Sequence, residues 1–254
     1  MNRLLPLAVA TYFLMPGLLL AQDPLKSLPQ AYKLQFENEW VKVTRVHYGP
    51  HEKIPAHDHT QMASAYVYLN DSGPVIFKHI GLPYGAVTRP ATKTGSFRLY
   101  QGLKETHEVE NPNDVPSDFL RVEFKTQPLG ERNLRGRFYR EDYPAGENYR
   151  KVQFENEQIR ITRLVCASHQ KLDVTASSTE PTLLIALTSA RLNVSDQKSG
   201  ATRLSLEPGQ TRWLAINQHE QIENLNETVA EFLRFDFKTK PMTEPSGKTN
   251  PHDH

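Results

Sequence analysis

The chain has a single cysteine, Cys166, among 254 residues, so no internal disulfide staples it. Cys166 closes the strand-like run Ile161 to Cys166, where a buried, unreactive thiol is expected. A surplus of charge is also lacking. Lys and Arg total 30 against 29 Asp and Glu, a balance that gives no sign of electrostatic binding to nucleic acid or an acidic membrane surface. No long amphipathic helix can be read along the chain. What is present is 38% apolar residues with 18 prolines and 13 glycines, the composition of many short strands joined by turns.

The one long apolar run lies at the start. Met1-Asn2-Arg3 is a short basic opening, Leu4 to Leu20 is almost wholly apolar, and Ala21 is a small residue before Gln22 and Asp23. Residues 1–21 therefore read as a secretory signal peptide, and an exported protein, periplasmic or secreted, is expected. Pro6, Pro16 and Gly17 argue against a retained anchor helix, so no stable membrane association is expected after cleavage. Losing Arg3 leaves 29 basic against 29 acidic residues.

The rest is written twice. Gln35 to Glu39 and Gln153 to Glu157 both read QFENE, and Phe119 to Pro128 (FLRVEFKTQP) returns as Phe232 to Pro241 (FLRFDFKTKP). A repeat at this spacing means two copies of one domain. Copy one spans residues 32–128, a mixed-charge linker 129–148, copy two 149–241, and a flexible polar tail 242–254. Short runs such as Tyr66 to Leu69, Val75 to His79 and Leu183 to Leu187, separated by turn residues, predict an all-β sandwich or barrel in each copy. Exposed strand edges raise a homodimer as an expectation.

The copies disagree at three histidines. His57, His59 and His107 in copy one stand where copy two has Thr175, Ser177 and Glu220. A scaffold residue should survive in both copies, whereas a functional site can be lost from one. His51 and His169, retained in both, are read as scaffold. His57 and His59 are two apart, so on a strand both imidazoles face one side. With His107 they make a three-nitrogen set that would hold a divalent first-row metal and keep positions open.

The pattern His57-Asp58-His59, Tyr66-Val67-Tyr68-Leu69 and His107 through Asn111 resembles the two motifs of the cupin superfamily, and two such units resemble a bicupin. The resemblance covers residues 32–241. It implies two tandem cupin-like jelly-roll barrels, often paired edge to edge, with a metal (Fe, Mn, Ni, Cu or Zn) in the first barrel and a degenerate second barrel. The departures are specific. The acidic residue that usually follows the second histidine is replaced by Ala63 and Ser64, Gly49 stands early, and Gln101 to Thr106 replaces the usual Pro-x-Gly.

Other candidates surround this set. Gln61 could supply an oxygen ligand. Tyr66 and Tyr68 face the cavity if Ser64 holds the position of the lost acid, and face outward if Ala63 does; inside, either could orient a substrate or donate a proton. Glu105, Glu108 and Glu110 are expected to be solvated, or one of them to orient His107. His252-Asp253-His254 repeats the HDH string in the tail. The expected function is an exported metal-binding bicupin, dioxygenase-like or isomerase-like, on a small chelating organic molecule. The alternative is a binding or assembly protein without turnover.

Overall fold

A computed structural model describes residues 23–128, 134–196 and 200–242. The signal-like segment 1–21 and the tail histidines lie outside the described residues. Copy one folds into β1 (Tyr32–Glu37), β2 (Val41–Tyr48), β3 (Lys53–His59), β4 (Ser64–Tyr68), β5 (Val75–His79), β6 (Ala86–Arg89), β7 (Phe97–Tyr100), β8 (Glu105–Glu110) and β9 (Ser117–Phe124). A short strand, β10 (Gly136–Phe138), follows. Copy two repeats the series as β11 (Tyr149–Glu155), β12 (Ile159–Cys166), β13 (Lys171–Asp173), β14 (Thr182–Ala186), β15 (Ala190–Asp196), β16 (Gly200–Leu206), β17 (Thr211–Leu214), β18 (Glu220–Asn224) and β19 (Ala230–Phe237). Before them a single helical turn, α1 (Pro24–Ser27), is capped by the Asp23 side chain accepting from the Leu25 amide. Among the described residues no helix is long and apolar enough to cross a membrane.

Each copy is a two-sheet jelly roll. In the first, the sheet β1-β2-β9-β4-β7-β10 faces β3-β8-β5-β6; in the second, β11-β12-β19-β14-β17 faces β13-β18-β15-β16. The repeat is faithful down to irregularities. The bulge between Leu34 and Phe36 returns between Val152 and Phe154. His51 and His169 both adopt φ 55°, a left-handed turn position that accounts for their shared retention. Asn111 and Asn224 are both fully buried. The Asn111 amide donates to the carbonyls of Tyr48, Gly49 and Val115, and Asn224 to those of Cys166, Ala167 and Thr228. The asparagine of the motif is thus a turn-closing strut.

The barrels do not meet edge to edge. Their larger sheets stack face to face over a shared core: Ala65, Val67, Leu120, Val122 and Phe124 against Leu183, Ile185, Leu233, Phe235 and Phe237. Because strand side chains alternate, the intervening residues of β9 and β19 point into the barrels. Phe119 belongs to the first barrel's interior cluster and Phe232 to the second's; Arg121 and Glu123, like Arg234 and Asp236, share their parity and are buried. The linker takes part in this packing. Leu134 is buried in the shared core, Gly136–Phe138 pair with β7, and Phe138 stacks on Phe97 at 4.6 Å. Cys166 lies fully buried in the second barrel, and burial raises its thiol pKa to about 11.

Candidate metal centre

Register places the histidines. On the four-stranded sheet His57 of β3 pairs with His107 of β8, and His107 pairs with His79 of β5, so three histidines lie in one row across three strands. A bulge between Ile54 and His57 sets this alignment. His59 pairs with Glu105 in the next row. The ring centroids of His57, His59 and His107 are 4.8–4.9 Å apart, and one nitrogen from each lies within 4.8 Å of the others.

His57 is fully buried. Its Nδ1 donates to the Pro55 carbonyl at 2.8 Å, which fixes the tautomer and leaves the Nε2 lone pair free to ligate. His57 Nε2 and His59 Nε2 are 3.1 Å apart. Burial lowers the pKa of all three: of His57; of His59, with Arg121 adding to the effect; and of His107, to about 4 against the pull of Glu105. All three are neutral near pH 7, the form a metal needs. Both ring nitrogens of His107 are buried and lack a hydrogen-bond partner among the described residues. These orphaned nitrogens, beside two oriented imidazoles, fit a divalent metal.

The surroundings hold residues not singled out in the sequence. The Tyr32 hydroxyl lies 2.7 Å from His57 Nε2 and 2.7 Å from the Tyr48 hydroxyl; burial, then Tyr48, raises its pKa, so it stays protonated. The Arg121 guanidinium, 4% exposed, donates to His59 Nδ1 and to the Thr60 carbonyl, and pairs with Glu123 at 3.2 Å. Tyr32 had one available signal: by the repeat it aligns with Arg150, a divergence like that of the histidines.

Glu105 corrects the solvated expectation. It is 6% exposed; one oxygen accepts from the Tyr100 hydroxyl, and the other lies 3.6 Å from His107 Nδ1 and 3.7 Å from His79 Nε2. Burial works against its ionisation, yet His107, Tyr100 and Arg89 together hold its pKa at about 2. Glu108 is exposed, and Glu110 pairs with Lys53 and Lys78 on the surface. Gln61 is exposed and lines a separate cavity of about 430 Å³ with Met62, Gln101, Leu134, Gln158 and Met242. The cavity that reaches His59, about 290 Å³, is lined by Tyr32, Lys42, Thr44, Arg121 and Glu123, and Gln61 takes no part in it. Tyr66 belongs to the interior cluster and Tyr68 packs against it, the orientation that follows if Ser64 marks the lost acid.

The second barrel is satisfied without metal. The Thr175 carbonyl accepts from Arg234, Ser177 Oγ accepts from the Thr179 and Glu180 amides, and Glu220 accepts from Arg212 and Gln218.

No family model and no curated protein sequence matches the chain. Solved structures do. AerE from Microcystis aeruginosa superposes with TM-score 0.56 at 12% identity, covering 82% of this chain and 97% of that one. Oxalate decarboxylase OxdC from Bacillus subtilis gives 0.52 at 11%, covering 80% and 70%. Salicylate 1,2-dioxygenase from Pseudoaminobacter salicylatoxidans, with gentisate, gives 0.54 at 10%, covering 79% and 69%. At such identities the likeness is one of fold, and the fold is that of a bicupin, two cupin jelly-roll barrels in tandem.

Proposed function

We propose that this is an exported protein whose first barrel binds one divalent metal through His57, His59 and His107 and acts on a small chelating organic molecule. The observation that carries the reading is the convergence of three buried, neutral imidazoles, with the nitrogens of His107 left unpartnered. The metal is one of Fe, Mn, Ni, Cu or Zn, and one structural neighbour is described with Mn(II) centres. A metal there would polarise a chelated oxygen and, if redox-active, support oxidation. The reaction class is dioxygenase-like or isomerase-like.

The chain's own residues supply the rest. Three neutral ligands leave the metal's charge uncompensated, which favours an anionic chelator such as a carboxylate, enolate, catecholate or thiolate. The structural neighbours are named for oxalate and salicylate, small acids of this type. The cavity of about 290 Å³ admits molecules of that size. Tyr32 keeps a hydroxyl proton beside His57, placed to donate to a bound oxygen. Glu105 faces His107 Nδ1 at 3.6 Å, placed to accept from it once Nε2 ligates a metal.

The test is metal content after reconstitution with each of the five metals and dialysis, on mature protein ending before Pro251, beside His57→Ala/His59→Ala. One tightly held equivalent in the parent, lost from the double variant, is expected. A parent that retains none, or a variant that retains as much, sinks the reading.

A further inference from the structure

The tandem repeat provides an internal control for one arginine. In the first barrel Arg98 of β7 pairs with Tyr66, which pairs on its other side with Arg121. In the second barrel Arg212 of β17 pairs with Leu184, which pairs with Arg234. Arg98 and Arg212 therefore hold the same place in the fold.

The partners of the two guanidinium groups differ. Arg212 donates Nε and Nη2 to the two oxygens of Glu220 at 2.6 and 2.5 Å, a bidentate pair. Glu220 aligns with His107, and an imidazole offers no such pair of oxygens. Nε and Nη2 of Arg98, the same two atoms, are buried and have no hydrogen-bond acceptor among the described residues. The guanidinium stacks over Tyr66 at 4.4 Å and lies 5.4 Å from the ring of Tyr100. Ring faces stabilise its charge but leave those two N–H groups unmatched, and a buried, unmatched charged donor is strongly unfavourable. Glu105 is engaged with Tyr100 on one oxygen and faces His79 and His107 with the other.

We propose that a carboxylate of the ligand docks bidentately on Arg98 Nε and Nη2, as the Glu220 carboxylate does on Arg212 in the second barrel, on the side of Arg98 towards His107. Calling that ligand the substrate rests on the metal-centre reading; the arginine slot itself does not require metal. The ligand class is thereby narrowed to small carboxylates carrying a second donor that reaches the histidines. Arg98 is the residue that selects the acid over its uncharged analogue.

The experiment is calorimetric titration of the metal-loaded protein with oxalate, salicylate and benzoate, and with benzamide as the uncharged control. It is run on the parent, Arg98→Gln and Arg98→Lys, and without metal on His57→Ala/His59→Ala with and without Arg98→Gln. At least one carboxylate should bind the parent, and its Kd should rise about tenfold or more in Arg98→Gln, with benzamide unaffected and Arg98→Lys intermediate. In the double histidine variant, residual carboxylate binding should still require Arg98; that outcome holds even if the metal reading fails. A parent that binds none of the three acids, or Arg98→Gln binding them like the parent, overturns the proposal and leaves the metal centre standing. His107→Glu transplants the second barrel's pair into the first. It should raise the Tm of the metal-free protein and abolish carboxylate binding; unchanged binding there also overturns the slot.

Discussion

The Tyr32 hydroxyl stands 2.7 Å from Nε2 of His57, the nitrogen whose lone pair is free because Nδ1 is committed to the Pro55 carbonyl. The phenol therefore occupies the direction from which a metal would approach. It must release Nε2 when a metal binds. Replacing it with Tyr32→Phe removes a hydrogen bond of about 0.5–1.5 kcal/mol from the metal-free state only. Metal affinity should rise roughly two- to tenfold. Competition against a chromophoric chelator reads the affinity, and a weaker or unchanged Kd would show that the hydroxyl does not guard the site.

Arg121 predicts a tautomer. A guanidinium only donates, so His59 accepts at Nδ1 and carries its proton on Nε2, facing His57 Nε2 at 3.1 Å. A metal at His59 Nε2 needs the other neutral tautomer, so the ring must move its proton to Nδ1 and give up the Arg121 donor. In Arg121→Gln, whose amide oxygen can accept from Nδ1, the ligating tautomer is favoured, and metal affinity should rise roughly two- to tenfold. Competition against a chromophoric chelator reads it, and an unchanged or weaker Kd would break the link between Arg121 and the His59 tautomer.

Much of this was legible in the sequence, and the exceptions have a common cause. The doubled QFENE and FLR segments announced two copies, and the mismatch at His57, His59 and His107 announced an asymmetric site. What alternation could not tell was which face of β9 is inside its barrel. Leu120, Val122 and Phe124 face the other barrel, while Arg121 shares the interior face with Phe119. A strand buried on both faces inverts the usual reading of polar residues as solvent-facing. Tyr32, His79 and Arg98 carry no signal of their own, and Glu105 reads equally as solvated or as orienting His107, because their meaning depends on cross-strand register, which a single sequence does not reveal.

Depressed histidine pKa values make the metal-free fold acid-sensitive. His107 is held neutral down to about pH 4, while its unfolded form protonates near 6.5. The unfolded state then binds more protons as pH falls between those values, so stability is full above pH 6.5 and is lost progressively towards pH 4. His107 alone accounts for about 3 kcal/mol at the lower end; His57 and His59 shift in the same direction. The Tm of metal-free protein should fall steeply across this window, and His107→Gln should flatten the slope. A parent Tm constant from pH 7 to 4 would contradict the buried, neutral state of these rings.

The shared core makes the second barrel a structural partner of the one that carries the histidine cluster. Phe235 is fully buried between the sheets, its ring 6.4 Å from that of Phe124. It sits in one cluster with Leu120 and Val122, whose strand carries Arg121 into the metal-centre side. Phe235→Ala removes a large side chain from a site enclosed by both barrels and should cost about 3–5 kcal/mol. Because neither barrel keeps its larger sheet covered without the other, thermal unfolding should remain a single transition in both parent and variant. Metal added to the first barrel should then raise the Tm of a variant whose lesion lies in the second. Calorimetry resolving two transitions, with only one responding to metal, would show instead that the barrels fold independently and that the second contributes nothing to the stability of the first.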